Sequence, residues 1–559
     1  MFAKILLGLN KSCIFGEFLL IWTREINYPV NCKFRWLAVM LFCLILVGCG
    51  KGDPKKEYKT LVFCSDVDVT NINPYAASNL SEPSIIEALF EGLVVPDSAT
   101  YQPLPGVADR WSISENGKIY EFHLRDNARW SNGDMVAAED FVFTVKRALS
   151  SKPSTPSVEL FFPIRNAENF YRQRVKDFNE VGIHAIGKHT LRIELERPLN
   201  SFIYIVMQPC WYPLNEEVCE SISRYNDWND FFFDVISNGP FMVIDKKAND
   251  SVVLGRNPYY WDYEAVKLDE INFIVSSDVI QSLNMFRSGV TDICVYNPQN
   301  SYYSLDLVDE DDIKSEIHFG CFYLLLNTKK KPLDDRRVRK ALAIAIRRKV
   351  LLDLLSMGEV SAAYGLMPTF GPNYKVSKMF EENPERAQEL LAAAGYNNGE
   401  NFPKMRLICN GSEWQNIVCM FLKDELKDIL NIEVDIDYVG RDEFLAMRRE
   451  RNFDICCGDW YGDYPDPEKF LRLFSRESQQ NYCGWNSDEY NELLNMAYHV
   501  RDDRERFRLL KDAEQLLVGD MPVIPLYFDS SLYLVRRNVK GLDSGLLIHQ
   551  WKAIDIEKE

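Results

Sequence analysis

The 559-residue sequence contains only six histidines, and no pair of them has the H-E-x-x-H spacing that presents two zinc ligands on one helix face. It also has no G-x-S-x-G nucleophile turn. His184 and His189 stand five residues apart around a turn, which is a poor chelate spacing, so we expect them at the surface. Paired acids such as Asp463 and Asp466 could act in acid–base chemistry, but acids are common in loops. We therefore predict no catalytic residues, no metal site and no cofactor.

One near match to a phosphate-binding loop runs from Gly182 to His189, but it places His189 where the loop needs a magnesium-binding hydroxyl. A phosphate loop must also open a helix so that backbone N–H groups face the anion. Here a strand-like stretch, TLRIELE, follows instead. The segment is predicted to be a hairpin turn.

The sequence has no hydrophobic run long enough to cross a bilayer. Its clearest run, Trp36 to Val47, is about a dozen residues, follows basic Lys33 and Arg35, and ends in small residues before Cys49. This is the pattern of a cleaved signal, and the ending L-V-G-C resembles the bacterial lipobox. Residues 1–48 are therefore predicted to be a precursor segment, Cys49 to be lipidated, and residues 49–57 to be a polar tether.

Residues 1–32 lie upstream of this already complete signal. We expect translation to begin near Val30 or just before it, a hypothesis that peptides from residues 4–24 of the intact precursor would refute.

Positive charge is also scarce: the formal net charge is −18, and because residues 1–48 carry +3, the remainder carries −21. Such a surface argues against nucleic acid as a partner, since phosphates need clustered Lys and Arg. The cysteines after Cys49 number ten and form no C-x-x-C pair, which argues against zinc. Most are expected to be buried apolar residues, with one or two disulfides possible.

Strand-like and helix-like patterns alternate from Lys59 onward, without a sequence repeat. TLVFCS, YEFHLR and TLRIELE have strand character, and the last two alternate apolar and polar residues. A helix is predicted over 383–396, with Asn383 as its cap and Gly395 at its end. Another is predicted within 334–355. This alternation indicates an α/β fold.

Residues 106–149 resemble the signature of the bacterial extracellular solute-binding proteins of the oligopeptide/dipeptide/nickel class. The pattern A-x-x-W, an acidic-Gly turn, F-x-L-R, W-S-x-G and A-x-D-F occurs in order. The resemblance continues through FEGL at 90–93, NGPF at 238–241, RNPYYW at 256–261, RSGVTDI at 287–293, LNTKKKPLDDRRVRKAL at 326–342 and DWYGDYPDPEKFL at 459–471.

This resemblance implies a periplasmic binding protein-like type II fold, with two lobes, an additional inserted domain and hinge closure around the ligand. It implies domain I at about 58–94, 209–318 and 522–559, domain II at 95–208 and domain III at 319–521. It also implies a monomeric, membrane-anchored lipoprotein of the bacterial periplasm or cell envelope. Such a protein would capture short peptides and deliver them to the transmembrane subunits of an ABC permease.

In relatives that bind peptides, a W-x-x-D-Y segment holds the N-terminal ammonium of the ligand. The corresponding residues are Trp460, Tyr461, Gly462 and Asp463, and Asp463 is the predicted ammonium ligand; the alternative is that it caps the turn before Pro465. Arg448 resembles a cation of the family that can meet the ligand, although an exposed helix arginine is the plainer interpretation.

Two positions depart from the family pattern. Relatives often have a cysteine at the position of Tyr461, bonded to one resembling Cys321, so that disulfide cannot form here in the same way. Cys457 replaces a cation that can meet the C-terminus of a peptide. A murein peptide, a nickel chelate or heme therefore stays open as the ligand, as do a signalling lipoprotein and, in another class, an envelope peptidase.

Overall fold

The computed structural model describes residues 58–65, 74, 83–98, 100–151, 157–222, 235–247, 251–296, 308–355, 361–369, 374–375, 378–411, 413–462, 464, 466–542 and 551–557. Cys49, Asp463 and the predicted signal lie outside them.

The strands of the described residues are β1 Thr60–Ser65, β2 Val94–Pro96, β3 Pro103–Pro105, β4 Ala108–Ile113, β5 Ile119–Leu124, β6 Ile183–Ala185, β7 Thr190–Glu194, β8 Phe241–Lys247, β9 Ser251–Arg256, β10 Glu270–Val275, β11 Ile293–Tyr296, β12 Ile313–Leu326, β13 Met405–Cys409, β14 Val434–Tyr438, β15 Ile455–Tyr461, β16 Val523–Val535, β17 Val539–Lys540 and β18 Asp555–Ile556. The α-helices are α1 Pro83–Leu89, α2 Ala138–Ser150, α3 Ala167–Tyr171, α4 Phe202–Ile205, α5 Glu216–Ile222, α6 Val279–Arg287, α7 Arg336–Ala345, α8 Arg348–Leu354, α9 Pro384–Ala393, α10 Glu413–Leu430, α11 Arg441–Glu450, α12 Pro467–Leu471, α13 Asp488–His499 and α14 Asp503–Asp520. Short 3₁₀ turns occur at Val158–Phe161, Phe178–Glu180, Pro209–Trp211, Tyr263–Ala265, Glu310–Asp312, Asn397–Gly399 and Arg472–Phe474.

A ten-stranded mixed sheet organises the molecule, in the order β14-β13-β15-β12-β16-β11-β1-β10-β9-β8. Its parallel pairs include β1 with β10 and β13 with β15, while the long central strands β12 and β16 pair antiparallel. A separate four-stranded antiparallel sheet, β4-β5-β7-β6, lies within residues 108–194. The predicted α/β class is therefore confirmed.

Hydrophobic cores lie on either side of the middle of this sheet. One core draws on residues between 61 and 295, on Tyr464, and on residues between 533 and 554. Two others draw on residues between 321 and 528 and occupy opposite faces of β12, as Phe322 and Leu324 pack into one and Cys321 and Tyr323 into the other. The long strands β12 and β16 run from one set of cores to the other.

Several local predictions are confirmed. β1, β5 and β7 coincide with the predicted strands, and the Asn383 side chain caps α9 by accepting the Arg386 N–H at 2.8 Å. Residues 182–189 form the predicted hairpin, in which Gly187 takes a φ of 72° between β6 and β7. All ten cysteines of the described residues are buried thiols.

The single helix predicted within 334–355 is wrong. α7 ends at Ala345 and α8 begins at Arg348, because Ile346 has extended backbone angles. The cause is Arg348, whose fully buried guanidinium donates to the carbonyl oxygens of Ala343, Ile346 and, on β16, Pro525. These bonds satisfy the end of α7 only if the chain turns there.

Candidate functional site

Strand β15 leaves the protein interior part-way along its length. Its first four residues, Ile455 to Gly458, are buried, whereas Asp459 and Tyr461 are exposed and Trp460 is half-buried. The strand pairs with β12 in a register that places Trp460 opposite Cys321 and Tyr461 opposite Gly320. The predicted ligand-binding segment thus begins where β15 emerges beside a central strand.

Glycines allow this close packing at two points. A Cβ on Gly320 would lie 2.5 Å from the Tyr461 ring, and one on Gly462 would lie 2.6 Å from the Phe319 ring. The Gly462 N–H also donates to the Phe319 carbonyl at 2.9 Å. Gly462, a predicted site residue, therefore anchors the end of β15 to β12.

The predicted ammonium ligand, Asp463, lies outside the described residues, but its neighbours on both sides are fixed. Gly462 is held to β12, and Tyr464 is 7% exposed and belongs to the core of the other half of the molecule. Asp466 caps α12 by accepting the Glu468 N–H at 2.9 Å.

Arg448 on α11 is half-buried, so the expectation of an exposed helix arginine is wrong. Its guanidinium lies over the Tyr482 ring, 4.8 Å from the centroid, and its buried Nε has no hydrogen-bond partner among the described residues. The indole Nε1 of Trp460 is also buried without a partner in that part of the chain. Buried donors of this kind need a partner, and a ligand or a water can supply one.

Asp459 is the exposed carboxylate of β15. The surrounding protein raises the pKa of Asp459 above the ordinary carboxyl value by desolvation, and the nearby charge of Arg448 opposes that rise. An exposed side chain that is nevertheless desolvated fits a position on a concave surface.

The two cysteine positions noted in the sequence are interior. Cys457 is completely buried, with its Sγ 3.4 Å from that of Cys419 on α10, so it cannot meet a ligand carboxylate. Cys321 is buried on the opposite face of the sheet and is a free thiol.

The family model described as "Bacterial extracellular solute-binding proteins, family 5 Middle" matches residues 102–482, well over half of the chain. The chain belongs to this family.

Its relatives extend over nearly the whole length. The oligopeptide-binding protein OppA of Bacillus subtilis (strain 168) is 28% identical over 532 residues, covering 91% of this chain and 97% of OppA. Among solved structures, the unliganded open form of the murein tripeptide-binding protein MppA aligns with a TM-score of 0.78 at 26% identity, covering 90% of this chain and 98% of MppA. The pheromone receptor PrgZ, whose structure describes its mode of peptide binding, aligns with a TM-score of 0.67 at 26% identity, covering 90% and 100% of the two chains.

Three signature motifs of this solute-binding protein have structural roles that the sequence did not reveal. FEGL, NGPF and RNPYYW meet around Glu91, whose carboxylate accepts the Tyr260 hydroxyl and the Trp261 Nε1, each at 2.5 Å. The Asn238 side-chain amide accepts the Glu91 N–H at 3.2 Å and donates to the Glu91 carbonyl at 2.9 Å. Burial raises the pKa of Glu91, and Lys552 opposes the rise. These motifs build the interior rather than the binding surface.

Sequence reasoning missed Asp529 and His318, which lie on β16 and β12 and contact the site through Tyr461. The Tyr461 hydroxyl donates to Asp529 Oδ2 at 2.6 Å, across 68 residues of sequence. No spacing or motif connects these residues, so only the strand register brings them together.

Among the described residues, no helix is both long enough and apolar enough to cross a bilayer.

Proposed function

We propose that this solute-binding protein captures short peptides outside the cytoplasm and delivers them to the permease of an ABC importer. The observation that carries the proposal is the W-x-x-D-Y segment at the exposed end of β15, in a chain similar to OppA over 97% of OppA's length. An extended peptide would pair its main chain with protein strands, and its side chains would lie in hydrated pockets.

Asp463 is the proposed partner of the peptide ammonium. Gly462 is fixed to Phe319 and Asp466 is fixed at the start of α12, so the segment between them is short and tethered at both ends. Within a closed cleft, a carboxylate–ammonium pair is strengthened by the lower effective dielectric. Arg448 Nε and Trp460 Nε1 are buried donors without a partner among the described residues, and they are proposed to bind peptide carbonyl or carboxylate oxygens.

The first test is native mass spectrometry of the mature protein, with denaturing release of any bound ligand. Peptides of two to five residues with free amino termini are expected. Calorimetric titration then compares trialanine with N-acetyl-trialanine on wild-type protein and on Asp463→Asn. Acetylation and the substitution should each weaken binding at least tenfold, and together no more than either alone, because both remove one interaction. Equal binding of the blocked and free peptides would exclude Asp463 as the ammonium ligand.

A murein peptide is the second candidate, because the murein peptide-binding protein MppA of Escherichia coli is 28% identical to the chain over 501 residues. In that case the released ligand would be a single murein fragment rather than a mixture.

The arrangement of the lobes is proposed to be the open one. MppA in its open form and PrgZ share 26% identity with the chain, yet their TM-scores are 0.78 and 0.67. Because the two proteins are equally similar to the chain in sequence, a different placement of their lobes is sufficient to explain the difference in TM-score. Domains I (58–94, 209–318 and 522–559) and III (319–521) are proposed as the lobes that close, with domain II (95–208) as the inserted domain. The division between cores near residues 320 and 530 supports the two lobes.

Membrane attachment is proposed to run through Cys49. The support is the short apolar run followed by L-V-G-C and a polar tether. Intact mass measurement of the membrane-extracted protein should give a chain that begins at residue 49 and carries acyl groups, and Cys49→Ala should abolish them.

A further inference from the structure

A small polar cluster occupies the middle of the central sheet, where β12 and β16 pass between the cores. On β16, Phe528 belongs to the core of one half, and Tyr533 to the core of the other. The register of the two strands is irregular between Ile317 and Cys321 of β12. Asp529 and His318 lie at this crossing. In the proposed function, hinge closure would bring ligand-binding residues of both lobes around it.

The cluster is centred on one carboxylate oxygen. Asp529 Oδ2 accepts the Tyr461 hydroxyl at 2.6 Å and lies 3.5 Å from His318 Nδ1. On the other edge of its ring, His318 Nε2 lies 2.8 Å from Ser531 Oγ. The Asp529 and His318 side chains are 11% and 12% exposed, so both are nearly enclosed but still reachable.

Tyr461 reaches Asp529 by passing over the strand between them. Sheet order places β12 between β15 and β16, and the residue of β12 opposite Tyr461 is Gly320. Any side chain there would meet the ring, since a Cβ would lie 2.5 Å from it. Burial raises the pKa of the Tyr461 hydroxyl far above its ordinary value, and Asp529 adds to this, so the hydroxyl stays a donor. Tyr461 is therefore a positioning residue for the carboxylate.

Asp529 lacks both kinds of partner that satisfy several other buried carboxylates of the described chain: a strong cation, or donors at both carboxylate oxygens as for Glu91 and Glu514. Asp466 and Glu468 share Arg506 at 2.8 and 2.7 Å, and Glu425 has Arg347 at 2.6 Å. Asp529 has no Lys or Arg within 4 Å among the described residues, and the only basic group beside it is the imidazole of His318. No donor from the described residues contacts its second oxygen, Oδ1. A carboxylate enclosed in this way is costly unless a cation approaches it.

We propose that Asp529, positioned by Tyr461, binds the ammonium or guanidinium group of a basic side chain on the captured peptide. The protein then selects peptides that contain lysine or arginine, in addition to holding their amino terminus. This selectivity rests on the proposed capture of peptides. The charge-assisted bond forms at Oδ1, beside the bond from Tyr461 to Oδ2.

The test is calorimetric titration with tripeptides that contain one lysine and two alanines, with lysine at each position in turn, against matched peptides with norleucine instead. Norleucine keeps the apolar stem and lacks the ammonium, so the ratio of the two affinities isolates the charge. Wild-type protein should bind at least one lysine isomer tenfold or more tightly than its norleucine match.

Asp529→Asn should reduce this ratio to about one and leave the norleucine affinity unchanged. Tyr461→Phe keeps the carboxylate and loses only the positioning bond, so the ratio should fall several-fold without disappearing, and this variant also serves if Asp529→Asn does not fold. The control is Asp435→Asn on the edge strand β14, which pairs with Lys404 and should not alter the ratio.

Two results would overturn the inference while leaving peptide capture intact. One is equal wild-type affinity for every lysine and norleucine pair. The other is an equal loss of both affinities in Asp529→Asn, which would make the carboxylate purely structural. Failure of wild-type protein to bind any of these peptides would instead overturn the proposed function, and the inference with it.

Discussion

Arg506 lies on α14, and its charge stabilises the start of a different helix, α12, which follows the candidate site. Its guanidinium donates to both oxygens of Asp466 at 2.8 Å and to Glu468 at 2.7 Å, and all three side chains are at most 11% exposed. Asp466 also caps α12. One buried arginine therefore fixes the residue three positions after Asp463.

Arg506→Met is expected to lower the free energy of unfolding by about 3–5 kcal/mol, because among the described residues enclosed Asp466 would lose its only cation and Glu468 would keep only Arg472. Urea denaturation measures the change. Arg508, two residues further along the same helix, makes comparable ion pairs with Glu505 and Asp512 but is 57% exposed. Arg508→Met should therefore cost less than about 1 kcal/mol. Similar losses in the two variants would contradict the account.

At the scale of elements, helix α2 shows how a family motif stabilises the fold. Its motif residue Asp140 accepts the Ala137 N–H at 2.9 Å and the Trp130 indole N–H at 3.1 Å, which closes the start of the helix. Desolvation nevertheless raises the pKa of Asp140 to about 6. The W-S-x-G and A-x-D-F motifs are thus joined by one carboxylate.

This pKa predicts a pH-dependent stability. A carboxyl whose folded-state pKa lies above its unfolded value of about 3.9 stabilises the fold fully below that value, and loses the contribution as pH rises through about 6. The free energy of unfolding of wild type relative to Asp140→Asn should therefore fall by on the order of 3 kcal/mol from pH 3.5 to pH 7. Urea titrations across this range measure it. Glu139→Gln removes a charge from an exposed neighbour and is the control for a general effect of charge on stability. A difference in unfolding free energy between wild type and Asp140→Asn that does not change with pH would refute the prediction.

Local patterns predicted the elements well where local chemistry decides them. Asn383 caps α9 and Gly187 turns the hairpin, because a cap and a positive φ depend on adjacent residues alone. The helical periodicity of 334–355 was misleading. Arg348 ends that helix through bonds to Pro525, which is 177 residues away, and no local signal carries this information.

The residues of the candidate site likewise differ in whether a local sequence pattern predicts them. Trp460, Tyr461 and Gly462 were found from a motif, and the structure places them together at the end of β15. Asp529 and His318 have no motif, and they join Tyr461 only because three strands lie side by side. An exposed helix arginine is the plainer expectation for Arg448, whereas its stacking on Tyr482 depends on a residue 34 positions later in the chain.

At the scale of the whole molecule, β12 and β16 are the strands on which the two sets of cores meet. β15 and β11 flank them, one from each half, so a rotation about the central pair would move Trp460 and Tyr461 relative to β1 and its neighbours. Such a rotation would keep most contacts within each core. The side chains that it would move relative to a core of the opposite half include Tyr464, Tyr101 and Tyr204.

Small-angle X-ray scattering should detect this closure. Saturating trialanine is expected to lower the radius of gyration of the mature protein, since ligand contacts with both lobes favour the closed form. The same peptide at the same concentration should leave the Asp463→Asn protein unchanged. An unaltered radius for wild-type protein with demonstrably bound peptide would mean that the described arrangement is already closed.

The burial of every described cysteine also makes the molecule suited to optical sensing. Desolvation raises the pKa of Cys456 to about 12 and of Cys483 to about 11, so these thiols are almost entirely protonated at neutral pH as well as enclosed. One new cysteine at the rim of the cleft would therefore react with a maleimide dye far faster than the native thiols. A fluorescent reporter of ligand capture could be built by a single substitution, without first removing the protein's own sulfur.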